Sequence, residues 1–211
     1  MDTTRRFTIA YVDFLSLMRL PRLLPAFQRR LPRAGLRIVS IEHMIESKRL
    51  GSGEIDLLVG IPPVAPRGCA HEDVFEEQMV CVVRKERGRK RPMTLTRFLE
   101  TPHVEMAVFG REVGPIDAAL SRMGRERRVA LSVPHFASAP RVVAVTDMLM
   151  TLPRRLAEIF AAELPLQIHP VPLKLPPLRI RQYWPSHTGE DAGTTLLRQL
   201  VRGAAGGRRR R

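Results

Sequence analysis

Asparagine is absent from this 211-residue chain, lysine occurs only at Lys48, Lys85, Lys90 and Lys174, and there are two cysteines. Cys69 and Cys81 supply neither a disulfide framework nor a metal set, and Cys81, inside the apolar run Met79 to Val83, is expected as a small buried core residue. Sparse cysteine fits a reduced, cytoplasmic protein. No apolar run approaches the ~20 residues of a membrane span. No charged segment followed by an apolar stretch opens the chain, which argues against a secretion signal. The six histidines (His43, His71, His103, His135, His169 and His187) lack paired metal spacing, and no cofactor is expected. No Gly-x-Ser-x-Gly elbow or phosphate loop occurs. Gly51-Ser52-Gly53 precedes a strand, whereas a dinucleotide turn follows one. Glu76-Glu77 lies in or beside a strand, so its side chains point to opposite faces and make no acid/base pair.

What the chain has in excess is arginine, and its net charge is +14. Arg208 to Arg211 form a basic tail, and the other clusters (Arg29-Arg30, Arg87 to Arg91, Arg125 to Arg128, Arg154-Arg155) are spread along the sequence. No aromatics interleave with them as a base-stacking platform requires, and no DNA-reading helix-turn-helix is found. The arginine bias reflects the base composition of the coding DNA as much as function.

The first sixty residues read strand, helix, strand, helix, strand. Phe7 to Val12 is a strand. Leu20, Leu23, Leu24, Phe27 and Leu31 stand at helical spacing. Leu36 to Ile41 alternates as a strand, His43 to Leu50 is a short helix, and Asp56 to Ile61 is a strand apolar enough to be buried on both faces. Alternating elements imply a parallel sheet covered by helices, and such sheets bind small molecules beyond the carboxyl ends of their strands. Further on, Asp73 to Arg84 reads as one long strand, Thr94 caps a helix through Leu99, and His103 to Phe109 is a strand. Pro115 starts a helix stopped by Gly124. Val129 to Val133 and Met148 to Leu152 are strands, and Ala139 to Val145 and Pro153 to Glu163 are helices. Leu166 to Val171 and Leu178 to Trp184 are extended, and Asp191 caps a last helix. The expected architecture is α/β with two Rossmann-like lobes and a hinge. Residues 1–105 plus 178–211 form lobe I, 106–177 form lobe II, and 203–211 are a flexible basic tail.

Leu20-Pro21, Leu23-Leu24, Phe27 and Pro32 resemble the first-helix signature of LysR-type transcriptional regulators. Gly53-Glu54-Ile55-Asp56-Leu57, Thr94-Leu95 with Phe98-Leu99, Thr151-Leu152-Pro153, and Trp184 before a final helix follow in the same order. The resemblance covers Phe7 to about Arg202 and is to the effector-binding domain, whose fold is like that of type 2 periplasmic binding proteins. Val133-Pro134-His135-Phe136 resembles the branch that responds to aromatic acids such as salicylate and to nitroaromatics. Two departures stand out: Pro25 falls inside the first helix, and Val113 replaces a pocket histidine of that branch.

The resemblance implies a small anionic, aromatic-carboxylate ligand held between the lobes, a homodimer that becomes a tetramer in full-length regulators, and no membrane partner. DNA would be read only through a helix-turn-helix domain that this chain lacks. Asp13, Phe14 and Ser16 at the first strand-to-helix turn are candidates for binding an anion at the helix N-terminus. Asp13 or Ser16 as a plain helix cap is the competing reading. Ile61, Phe109, Gly110 and Val113 lie at strand ends on the same cleft. Thr151 at a strand end offers a hydroxyl, Tyr183 an aromatic wall, and His135 a titratable hydrogen-bond partner. An enzyme on the same two-lobed fold, or a solute-binding protein serving a transporter, remain open alternatives at this level.

Overall fold

The computed structural model describes residues 3–41, 54–62, 64–86, 88, 91–106 and 114–206. They form two units: residues 1–76 with 179–211, and residues 77–178.

In the first unit the strand order is β2-β1-β3-β10-β4, with β1 Arg6–Tyr11, β2 Gly35–Ser40, β3 Leu57–Gly60, β4 Cys69–Glu77 and β10 Leu178–Pro185. β1 pairs in parallel with both β2 and β3, and β10 runs antiparallel to β3. Phe7, Ile9 and Tyr11 alternate with Thr8 and Ala10, and all five are buried, so both faces of β1 are covered, as parallel sheets require. One face packs on α1 (Asp13–Arg30), where Phe27 meets the Phe7 ring edge-on at 6.2 Å. The C-terminal helix α6 (Ala192–Ala205) packs against α1 on this side. A Cβ at Gly193 would stand 2.9 Å from Phe7 Cζ, so only glycine allows that approach. The other face carries Ala10, Ile41, Ile55, Leu58 and Tyr183.

In the second unit the order is β7-β6-β8-β5-β9, with β5 Met79–Arg84, β6 His103–Met106, β7 Val129–Val133, β8 Leu149–Pro153 and β9 Leu166–Pro170. Its helices are α2 (Leu95–Glu100), α3 (Pro115–Ser121), α4 (Ala139–Val145) and α5 (Arg154–Glu163). Cys81, Val83, Met93, Phe98, Ile116, Leu120 and Leu149 form one buried cluster.

Most predicted elements are present within a residue or two. Thr94 Oγ1 accepts from Arg97 N at 3.2 Å and Asp191 Oδ2 from Thr194 N at 2.8 Å, the two caps read from sequence. Gly124 adopts φ +62° where glycine was expected to stop a helix. Glu76 faces Arg179 at the surface while Glu77 is buried beside Arg155, on opposite faces as read.

The lobe boundary differs from the sequence reading. Residues 73–84 are two strands separated at Gln78, and β5 hydrogen-bonds to β8 and β9 of the second sheet. The first crossing therefore falls between Glu76 and Glu77, and β5, α2 and β6 belong to the second unit. α1 also runs unbroken through Pro21 and Pro25. Proline cannot donate to the carbonyl four residues back, but both prolines lie on the exposed side, where water can serve those carbonyls. Leu24 is on that exposed side and not in the core. The predicted helix His43 to Leu50 and the Arg208 to Arg211 tail lie outside the described residues. No helix among the described residues is long and apolar enough to cross a membrane.

Candidate functional site

In the first unit the carboxyl ends of β1 and β3 meet at one turn. Val12 N donates to Val59 O at 3.3 Å, and Leu15 N to Val12 O at 2.9 Å as α1 begins. A Cβ at Gly60 would come within 2.3 Å of Val12 Cγ2, so glycine lets β3 close against the start of α1. Asp13, Phe14 and Ser16 occupy the first turns of this helix. Phe14 is buried and the other two are half-buried. Ile61, half-buried, follows β3 directly. The fold thus brings four predicted site residues to the strand ends.

The capping alternative for Asp13 and Ser16 does not hold. The N-cap residue is Val12, which has no side-chain acceptor, and Asp13 and Ser16 lie inside the helix. Asp13 still sits in the first turn, where its charge is favourable to the helix dipole. Tyr183 pairs with Leu58 across β10 and β3. Its ring is part of the buried cluster and lies 5.4 Å from the His71 ring.

In the second unit His135 is exposed just after β7, and Ser138 Oγ donates to its carbonyl at 3.2 Å. Phe136 is buried and anchors this turn ahead of α4. Thr151 is not at a strand end. It lies in the middle of β8, opposite Cys81, with the two side-chain heteroatoms 3.8 Å apart. Burial pushes the Cys81 thiol up to about 12, so it stays protonated and unreactive at neutral pH. Phe109, Gly110 and Val113 lie outside the described residues. Among the described residues no three His, Cys, Asp or Glu side chains are grouped to hold a metal ion.

Two charge networks hold the opposite ends of the sheets, where strands begin, and neither was legible in the sequence. Asp56 of the Gly-Glu-Ile-Asp-Leu segment accepts from Thr8 N at 2.7 Å and pairs with Arg5. Arg5 also reaches Asp191, the cap of α6, at 3.0 Å. One arginine therefore ties the starts of β1, β3 and α6 together.

In the second unit Arg127, only 5% exposed, holds both Asp117 oxygens at 2.7 Å and pairs with Glu105. It also approaches His103 Nδ1 at 3.4 Å. His103 is fully buried, with Nε2 2.8 Å from Phe98 O and its ring edge-on to Phe98. Burial, reinforced by the Arg127 charge, lowers the His103 pKa to about 4. The neutral ring donates from Nε2 to Phe98 and accepts at Nδ1 from Arg127. Asp117 is held below the usual carboxylate range, chiefly by its Arg127 hydrogen bonds.

Residues 2–206 match the LysR substrate binding domain. The chain belongs to this family. It is 31% identical over 202 residues to the HTH-type transcriptional activator NahR of Pseudomonas putida, covering 95% of this chain and 67% of that protein. It is 30% identical over 203 residues to nodulation protein D 1 of Rhizobium tropici, covering 95% and 65%. The chain thus spans about two thirds of the length of these relatives. Among solved structures it is similar to a probable transcriptional regulator from Pseudomonas aeruginosa, with TM-score 0.84, 28% identity, and coverage of 96% of this chain and 67% of that one. The regulatory domain of MexT from the same organism, at 23% identity, shares the fold with TM-score 0.84, over 96% of this chain and 98% of that domain. This LysR domain therefore has the type 2 periplasmic-binding-like fold and is a regulatory, effector-binding domain in the control of transcription. Its relatives are regulators, not enzymes.

Proposed function

We propose that this LysR domain senses a small anionic aromatic carboxylate within a cytoplasmic regulator. The observation that carries the reading is the turn at Val12 to Ser16, where the start of α1 has no side-chain cap at its N-cap and faces the carboxyl ends of parallel strands. Backbone N–H groups and the helix dipole make such a terminus attractive to a carboxylate. Ser16 adds a hydroxyl, and His135 offers an exposed imidazole after β7. The Val133 to Phe136 segment supports an aromatic ligand by its likeness to the aromatic-responsive branch. A ligand with different affinity for two arrangements of the units shifts their populations, and this would bias the DNA-bound state of the whole regulator.

Calorimetric titration with salicylate checks the residues. Loss of one hydrogen bond costs about 1 kcal/mol, so Ser16→Ala and His135→Ala should each raise Kd roughly fivefold or more while the unfolding midpoint stays put. Binding at unchanged affinity by both variants would remove the assignment.

The domain is also proposed to form a homodimer. Leu17 and Leu24 are 41% and 39% exposed along the outer side of α1, beside Pro21 and Pro25, an apolar stripe suited to a second copy. Sedimentation velocity at micromolar concentration should find the dimer. A monomer throughout that range would contradict it.

A further inference from the structure

Residues 3–41 contain eight arginines and a single acidic residue, Asp13. The fold sorts seven of these arginines into two sets, and the eighth, Arg33, has an interaction of its own. Arg5 is spent on Asp56 and Asp191, and Arg19 is buried on the Phe75 ring and Ala204 O. Arg6, Arg22, Arg29, Arg30 and Arg37 are all exposed, and none of their side chains makes an ion pair or hydrogen bond with a described residue. Three acids of the same unit are engaged elsewhere: Glu72 with Gln182 and Arg202, Asp73 with Arg181, and Glu76 with Arg179.

Topology places three of these arginines on α1 and two on the neighbouring strands β1 and β2. Arg29 and Arg30 close the last turn of α1. The chain then turns into β2, whose first residue Gly35 lies in register with Arg6, and a Cβ on Gly35 would touch Arg6 Cγ at 3.4 Å. Arg37 follows on β2, the edge strand of its sheet. Arg22 stands two helical turns before Arg29 on α1. Arg6, Arg29 and Arg30 lie at the end of the sheet where β1 and β2 begin, opposite the strand ends that carry Asp13 to Ser16; Arg22 lies mid-way along α1, and Arg6 and Arg37 are on the sheet face turned from α1. Arginine at a helix C-terminus complements the dipole, which accounts for Arg29 and Arg30 but not for Arg6, Arg22 and Arg37.

We propose that this basic end of the first unit is a second contact surface for the phosphodiester backbone of duplex DNA, independent of base sequence and separate from the effector-sensing residues. Guanidinium groups match phosphate oxygens bidentately, and backbone contact needs no base-stacking aromatics. The relatives include HTH-type activators. A sensing domain linked to a DNA-bound reader meets duplex at high effective concentration, so weak phosphate contacts suffice.

The test is fluorescence anisotropy of a 20-base-pair duplex of random sequence titrated with the full chain between 50 and 200 mM NaCl. Each phosphate contact contributes roughly −0.9 to the slope of log K against log salt. Arg22→Gln/Arg29→Gln/Arg30→Gln should weaken binding at least tenfold and flatten the slope by about 2 to 3. Arg122→Gln/Arg125→Gln/Arg128→Gln, on the second unit, should leave both unchanged. Four results would overturn the proposal. One is full affinity in the first variant. Another is equal loss in the second. The third is complete loss on replacing Arg208 to Arg211 with serine, which assigns all binding to the tail. Displacement of the duplex by equimolar polyglutamate would also overturn it and point to an acidic protein instead.

Discussion

Arg127→Ala is expected to destabilise the second unit by about 1–3 kcal/mol, between the cost of losing a surface pair and a fully buried one, because Asp117 and Glu105 each stay 33% exposed. The alanine variant leaves Asp117 and Glu105 without their shared cation and His103 Nδ1 without its donor. Asp117 opens α3, Glu105 and His103 lie on β6, and Arg127 leads into β7, so a single guanidinium holds three elements together. Lysine cannot reproduce the two 2.7 Å bonds to Asp117 and should recover only part of the loss. Urea unfolding followed by circular dichroism measures the difference. A loss below about 1 kcal/mol for Arg127→Ala would mean that the network is worth no more than a surface ion pair.

Acidification is expected to have the next largest effect. His103 has a folded pKa of about 4 against an ordinary value near 6.5. The unfolded chain therefore takes up a proton between those values that the folded chain refuses. By linkage, stability is complete above about pH 6.5 and falls as pH drops toward 4, by up to ~3 kcal/mol. Asp117, whose folded pKa is depressed, adds a further loss as pH falls below its unfolded value. Unfolding midpoints from pH 7.5 to 4, compared with those of His103→Gln, check this. Glutamine retains a donor toward Phe98 O but does not titrate, so its curve should be flatter between pH 6.5 and 4. Parallel curves for the two proteins would show that His103 does not report this window.

The elements were readable because their signals are local. The apolar alternation of Phe7 to Tyr11, the caps Thr94 and Asp191, and the stop at Gly124 each depend on neighbours a few residues away. The boundary between units was not local. Residues 73–84 carry apolar positions throughout, and nothing in their period tells that β5 pairs with β8 and β9, some seventy to ninety residues on. The same holds for the charge networks. Arg125 to Arg128 reads as one basic run, yet Arg127 alone is buried, because its partners come from His103, Glu105 and Asp117. Asp56 was recognised as part of a motif, but its bonds to Thr8 and Arg5 are long-range.

The candidate site divides in the same way. The turn at Asp13 to Ser16 and the exposed His135 follow from strand ends that sequence pattern can place. Thr151 was misplaced because strand limits are soft to a residue or two, and β8 extends through Pro153. Val12 as an N-cap without a side-chain acceptor is set by the approach of Gly60, a contact between segments nearly fifty residues apart.

Reversible binding of a small aromatic carboxylate by this LysR domain is checked by thermal unfolding of the purified chain against matched aromatic and aliphatic carboxylates. A ligand at 100 times its Kd stabilises by about 2.7 kcal/mol, equivalent to roughly 5–10 °C in Tm for a protein of this size. That shift is expected for an aromatic carboxylate such as salicylate, with the compound recovered unchanged. No shift with any carboxylate, or consumption of the compound during the assay, would contradict it.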